Sequence, residues 1–81
     1  MRVTVRFFAR LRDLAGQSEI ACDVAPGATI ADVWREMARR TPALAPFDRA
    51  VSAARNAEYA RMTTPVEDGD EVAFLPPVSG G

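Results

Sequence analysis

The sequence predicts an α+β domain of two layers: a mixed β-sheet with one main helix packed across one of its faces. Three observations predict it. The first and last apolar segments alternate with polar residues, the mark of half-buried strands. Between them lies one helical segment with a single apolar stripe, which is buried only if laid against a sheet. The chain has 81 residues and 48% hydrophobic content, enough for one core, since a chain of this size buries only about 60% of the surface its unfolded form exposes.

Taken in order, residues 2 to 8 open with Val3, Val5 and Phe7 on one side and Arg2, Thr4 and Arg6 on the other, a first strand. Phe8 breaks the alternation by placing a large apolar ring on the outward side. Ala9 to Ala15 forms a short helical turn with Leu11 and Leu14 at i, i+3 spacing, stopped by Gly16. Glu19 to Val24 is a second strand, close enough in sequence to pair antiparallel with the first. Ile20, Cys22 and Val24 share its inner face, and Pro26 and Gly27 close it.

The main helix starts at Thr29, whose hydroxyl caps it, with Asp32 placed three residues on as in a capping box. Ile30, Val33, Trp34, Met37 and Ala38 fall on one stripe, with Trp34 at the core edge, and Arg35, Glu36, Arg39 and Arg40 lie off it. The arginine pair suits the negative end of the helix dipole, and Pro42 ends the helix. Ala43 to Pro46 reads as a loop and Val51 to Ala54 as a short strand. Asn56 to Glu58 reads as a turn, with Tyr59 on the strand beyond, and Thr63 to Pro65 leads into the last turn. Asp68, Gly69 and Asp70 supply that turn, after which Val72 and Phe74 alternate with Glu71 and Ala73 in a final strand. The first and last strands are expected to lie parallel at the sheet's centre, joined by a crossover that contains the helix.

Pro76 and Pro77 end the last strand, since neither can donate to a sheet ladder, and a proline pair favours extended backbone. The chain therefore divides into a folded domain, 1–75, and an extended tail, 76–81, that ends in a diglycine. Ser79, Gly80 and Gly81 carry almost no side chain. Such an end is either a frayed polar terminus or a slim probe that threads a narrow channel, where the missing Cβ atoms let another backbone come close. What it would deliver is the α-carboxylate of Gly81, inert to nucleophiles until a leaving group is attached, for example by adenylation.

Composition narrows the chemistry. The net charge is −1, and all ten basic residues are arginine, so nothing electrostatic favours nucleic acid. Without histidine the commonest general base near neutral pH is missing, and without lysine so is a Schiff-base amine. One cysteine and no histidine make a zinc site improbable, and Cys22 reads as a buried structural thiol. The expectation is a protein that is no enzyme on its own and has no bound cofactor or metal. No run approaches the ~18 apolar residues of a membrane span, and the start lacks a signal-peptide pattern, so a soluble cytoplasmic protein without membrane contact is expected. Phe8 and Leu75 fall at the same end of the two parallel strands, both pointing away from the helix. With Tyr59 they form a candidate docking patch, because contiguous exposed apolar residues are unusual where isolated ones are not.

The run Asp68-Gly-Asp-Glu-Val-Ala-Phe-Leu-Pro-Pro-Val-Ser-Gly-Gly81 closely resembles the C-terminus of the molybdopterin synthase small subunits, a family of ubiquitin-like sulfur carriers. Val5-Arg-Phe-Phe-Ala-Arg-Leu-Arg-Asp-Leu-Ala-Gly16 resembles the start of that family, as do Val66-Glu-Asp-Gly-Asp70 and the position of the helix. The resemblance implies a β-grasp, or ubiquitin-like, fold. It also implies that Gly81 is adenylated by an enzyme related to ubiquitin-activating enzymes, with ATP and Mg²⁺ used by that enzyme. A persulfide donor then leaves a Gly81 thiocarboxylate. The tail, Pro76, Pro77, Val78, Ser79 and Gly80, inserts into the large subunit and delivers sulfur to cyclic pyranopterin monophosphate, in a heterotetramer. Two positions depart from the family pattern: Arg55, where an aliphatic residue is usual, and Leu75, where an aromatic is often found. The same tail suits a carrier for thiamine or tRNA thiolation, or a ubiquitin-like modifier joined to target lysines, or an interaction module with an inert tail.

Overall fold

The computed structural model describes residues 1–77; Val78, Ser79, Gly80 and Gly81, and with them most of the expected tail, lie outside the described residues. Strand β1 spans Arg2–Phe7, helix α1 Ala9–Ala15, β2 Glu19–Asp23, α2 Ile30–Arg40, β3 Ser52–Arg55, β4 Glu58–Ala60 and β5 Glu71–Leu75, with a 3-10 helix at Pro42–Phe47. The strands form a five-stranded sheet in the order β2-β1-β5-β3-β4. β1 and β5 run parallel, with Val5 opposite Val72 and Phe7 opposite Phe74, and the remaining neighbours are antiparallel. This is the expected β-grasp arrangement.

The alternation read from the sequence is the burial pattern. Val3, Val5, Phe7, Cys22, Val72 and Phe74 face α2, which returns Ile30, Val33, Trp34 and Met37, and all ten side chains are buried in one cluster. Trp34 meets Phe74 edge-on with ring centroids 5.0 Å apart, a favoured aromatic geometry. Its indole N–H donates to the Asp48 carboxylate at 2.6 Å, which satisfies the polar end of a residue at the core edge.

Each end of α2 is closed by the residues the sequence offers. The Asp32 N–H donates to Thr29 Oγ1 at 3.3 Å and the Thr29 N–H to the Asp32 carboxylate at 2.8 Å, a complete capping box. Two further orphan N–H groups, of Ile30 and Ala31, donate to the carbonyls of Thr64 and Met62 at 2.9 and 2.8 Å. The segment leading into the last turn, with Met62 just before it, therefore satisfies helix donors that would otherwise lack partners, and Thr29 and Pro65 form a β-bridge. At the other end Arg39 and Arg40 both donate to Glu36. Those two arginines, Arg39 first, hold the Glu36 carboxyl at about 2, well below the usual range.

Two local expectations are corrected. Ala43–Pro46 is not a loop but part of the 3-10 helix Pro42–Phe47, whose i, i+3 bonds tolerate a proline at the first position because its missing N–H has no partner to lose. Leu44, fully buried, anchors it. The third strand begins at Ser52 and ends at Arg55 rather than spanning Val51 to Ala54. Its register is set by a tight turn at Asn56 and Ala57, both left-handed, with φ of 50° and 72°, as a two-residue hairpin requires. No helix among the described residues is long and apolar enough to cross a membrane.

Candidate functional site

The parallel register decides what stands at the root of the tail. Phe7 pairs with Phe74, so Phe8 and Leu75 follow together at the end of the two strands, and the Phe8 N–H donates to the Phe74 carbonyl at 3.3 Å. Period-two alternation turns both away from α2. One step back along the outer face, Arg6, Ala73, Ala54 and Tyr59 stand side by side across four strands. The two alanines make a low floor, and the larger side chains around it enclose a shallow depression lined by Phe8, Tyr59, Leu75, Arg6 and Glu71.

Phe8, Tyr59 and Leu75 are thus placed around one depression. Tyr59 is the most open of them, at 81% exposure against 36% for Phe8; Leu75 is half-buried. The rim is polar on one side only: Arg6 lies 3.6 Å from Glu71 and its guanidinium sits 5.1 Å from the Phe8 ring centroid. That cation–π contact braces the ring from the sheet side.

Beyond Phe8 and Leu75, a second groove of about 610 Å³ is lined by Phe8, Ala9, Arg10, Phe47, Leu75 and the two prolines Pro76 and Pro77. Pro76 is half-buried and Pro77 exposed, so the tail leaves the domain across the lip of this groove. Val78, Ser79, Gly80 and Gly81, the rest of the expected tail, are outside the described residues.

Two participants escaped the sequence reading. Phe47 follows the segment Ala43 to Pro46 that reads as a loop and was given no role, its size directly after Pro46 being the one signal that it packs against something. The second is Asp70, read as turn chemistry and in fact the only buried charged residue among those described. Its carboxylate accepts from Arg55 Nε at 2.6 Å, Asn56 Nδ2 at 2.9 Å and the Glu67 N–H at 2.7 Å, and the Arg55 bond, ahead of the Asn56 and Glu67 bonds, holds it at about 2. Asn56 in turn accepts the Glu71 N–H at 2.9 Å and donates its own N–H to the Glu71 carbonyl at 2.8 Å. The start of the tail-bearing strand is therefore latched to the β3–β4 turn. Arg55 faces Val72 across the ladder, on the helix side of the sheet, where an aliphatic residue would pack but could not pair with Asp70. Cys22 is buried, and burial pushes its thiol up, as for a structural rather than a reactive cysteine.

Comparison with known proteins gives a coherent picture. The ThiS family model matches residues 5–81. The molybdopterin synthase sulfur carrier subunit of Escherichia coli is 40% identical over 98% of this chain and 99% of its own length. Among solved structures, SAMP1 from Haloferax volcanii superposes with a TM-score of 0.88 at 31% identity, each chain covered in full. A complex of subunits 1 and 2 of the molybdopterin-converting factor from Helicobacter pylori contains a chain that matches with a TM-score of 0.69 at 26% identity, again over the whole of both.

Proposed function

The chain belongs to the ThiS family, and on that premise we propose that it is the sulfur carrier subunit of a molybdopterin synthase. The observation that carries the reading is a coincidence of place. The central strand β5 releases the chain at Leu75 and Pro76, where the apolar residues Phe8 and Leu75 stand open for a partner. The full-length likeness to the Escherichia coli carrier supports the same assignment.

The chemistry runs through residues 76–81. An adenylating enzyme of the ubiquitin-activating type, using ATP and Mg²⁺, joins AMP to the Gly81 carboxylate with release of pyrophosphate. The terminal sulfur of a persulfide displaces AMP, and thiol reduction of the acyl disulfide frees the Gly81 thiocarboxylate, a soft nucleophile ionised at neutral pH. The docked tail then enters the large subunit, Gly80 and Gly81 passing where a side chain would collide, and the sulfur attacks cyclic pyranopterin monophosphate. Two turnovers supply the two sulfurs of the dithiolene.

Docking does the work of positioning. A sulfur held against its target reacts as part of one molecule, and such positioning lowers a barrier by several kcal/mol. Pro76 and Pro77 shorten the search by limiting tail conformations, and the patch of Phe8, Tyr59 and Leu75 holds the domain in place. The groups that clamp and activate the pterin come from the large subunit, so this chain acts as a donating subunit without catalytic residues of its own. A cytoplasmic heterotetramer of two small and two large subunits completes the proposal.

A reconstitution tests it. The chain bearing a Gly81 thiocarboxylate, mixed with a large subunit and cyclic pyranopterin monophosphate, is expected to yield molybdopterin, and a chain lacking Gly81 to yield none. Absence of product from a confirmed thiocarboxylate that binds the large subunit would refute the assignment. The likeness to SAMP1 favours one second reading, a protein modifier whose Gly81 is joined to target amines. Adducts that survive thiols and hydroxylamine, formed from the adenylated chain, would select it.

A further inference from the structure

The geometry points to the groove between Phe8 and Phe47 as a receptor for an apolar side chain that the large subunit presents next to one of its own carboxylates, with Arg10 pairing that carboxylate. The inference rests on the sulfur-carrier reading and adds a charge rule to it.

Arg10 is the only charged residue lining this groove; its other walls are Phe8, Ala9, Phe47, Leu75, Pro76 and Pro77. Arg2, Arg6, Arg35, Arg39, Arg40 and Arg55 have carboxylate partners within the chain; Arg10, like Arg12, Arg49 and Arg61, has none among the described residues, and of those four it alone lines this groove. An unpaired guanidinium above apolar walls suits a partner surface in which a carboxylate adjoins an aliphatic or aromatic group. It disfavours one that brings a cation, because charges set across an interface discriminate strongly by sign.

The backbone is bent to make this arrangement. Ala9 adopts a left-handed φ of 51°, a conformation that L residues with a Cβ adopt at a cost. It is the residue at which β1 gives way to α1, with Phe8 before it and Arg10 after it.

Reach brings the occupant close. From Pro77 to Gly81 the chain spans at most about 14 Å fully extended. A large subunit that takes up Gly81 must therefore bring its surface against the groove from which Pro77 departs, and so meets Arg10, as the adenylating enzyme does at its own turn; the charge rule is assigned to the large subunit, the partner in which the tail delivers its sulfur.

The test measures affinity of the full chain for the large subunit by calorimetry, for the wild type, Arg10→Ala, Arg10→Glu and Arg35→Glu, the last an exposed arginine on α2, on the opposite face of the sheet from both depressions. Arg10→Glu is expected to weaken binding about 30-fold and Arg10→Ala about 5-fold, while Arg35→Glu binds as wild type. A large-subunit change of the facing acid to arginine is expected to restore binding to Arg10→Glu. Binding of Arg10→Glu within twofold of wild type would overturn the charge rule and leave the carrier reading standing. Failure of the wild type itself to bind would remove the carrier reading, and this inference with it. Wild-type self-association that Arg10→Glu abolishes, with large-subunit binding intact, would assign the groove to a second copy of the chain and also overturn the inference.

Discussion

Arg55 reaches from the end of β3 to Asp70, its Nε donating to the buried carboxylate at 2.6 Å. That contact, with Asn56 and the Glu67 N–H on the same carboxylate, ties the strand that bears the tail to the hairpin beside it. Asp70→Ala is expected to lower unfolding stability by about 2 kcal/mol at pH 7, since it strands several donors at once; urea titration of both proteins measures it.

The same pair gives a pH dependence. The bond from Arg55 lowers the Asp70 carboxyl from its ordinary value of 3.8 to about 2, so between those values the unfolded chain binds more protons than the folded one. Its stabilisation is complete above the unfolded value, declines as pH falls below it, and is lost as pH passes through the folded value. The stability gap between wild type and Asp70→Ala should therefore narrow from pH 4 downward, and a constant gap across that window would contradict the assignment.

Ala57 holds a φ of 72° in the Asn56–Ala57 turn, where glycine is the unstrained choice. Ala57→Gly is expected to raise stability by about 1 kcal/mol, the left-handed penalty less the added freedom of the unfolded glycine. A rise in thermal midpoint with unchanged β-sheet circular dichroism would report it.

Tyr59 is 81% exposed, so Tyr59→Ala should change stability by less than about 0.5 kcal/mol. If the depression it borders is a docking surface, the same change should weaken large-subunit binding by about tenfold or more, as truncation of a central interface tyrosine does. Affinity and thermal midpoint measured on one preparation separate the two effects.

Cys22 is 1% exposed, and its thiol is pushed up by burial. Its reaction with a disulfide reagent such as Ellman's is expected to proceed only through unfolding, accelerating with urea in step with the unfolded fraction. Rapid labelling in native buffer would place the thiol at the surface.

Much of this was legible in the residues. Val3, Val5 and Phe7 announce a strand face because side chains alternate every residue, and Thr29 with Asp32 announces a helix start because their spacing closes two hydrogen bonds; both hold. The 3-10 helix was not legible, since Pro42 and Pro46 read as breakers and its i, i+3 bonding leaves no apolar period to detect. Nor was the groove at Phe47 and Arg10, because those residues lie 37 positions apart in sequence and meet only after α2 has crossed the sheet.

The sequence by itself determined the first, second and last strands, the main helix and the parallel pairing of the two ends, because local periodicity is a property of the chain alone. Only the tertiary structure decided that Asp70 is buried and held by Arg55, that Phe8, Tyr59 and Leu75 border one depression, and that Arg10 stands unpaired, among the described residues, on a groove at the root of the tail. Burial, pairing and the sharing of a surface are relations between distant segments, and they acquire values only when the sheet brings those segments into register.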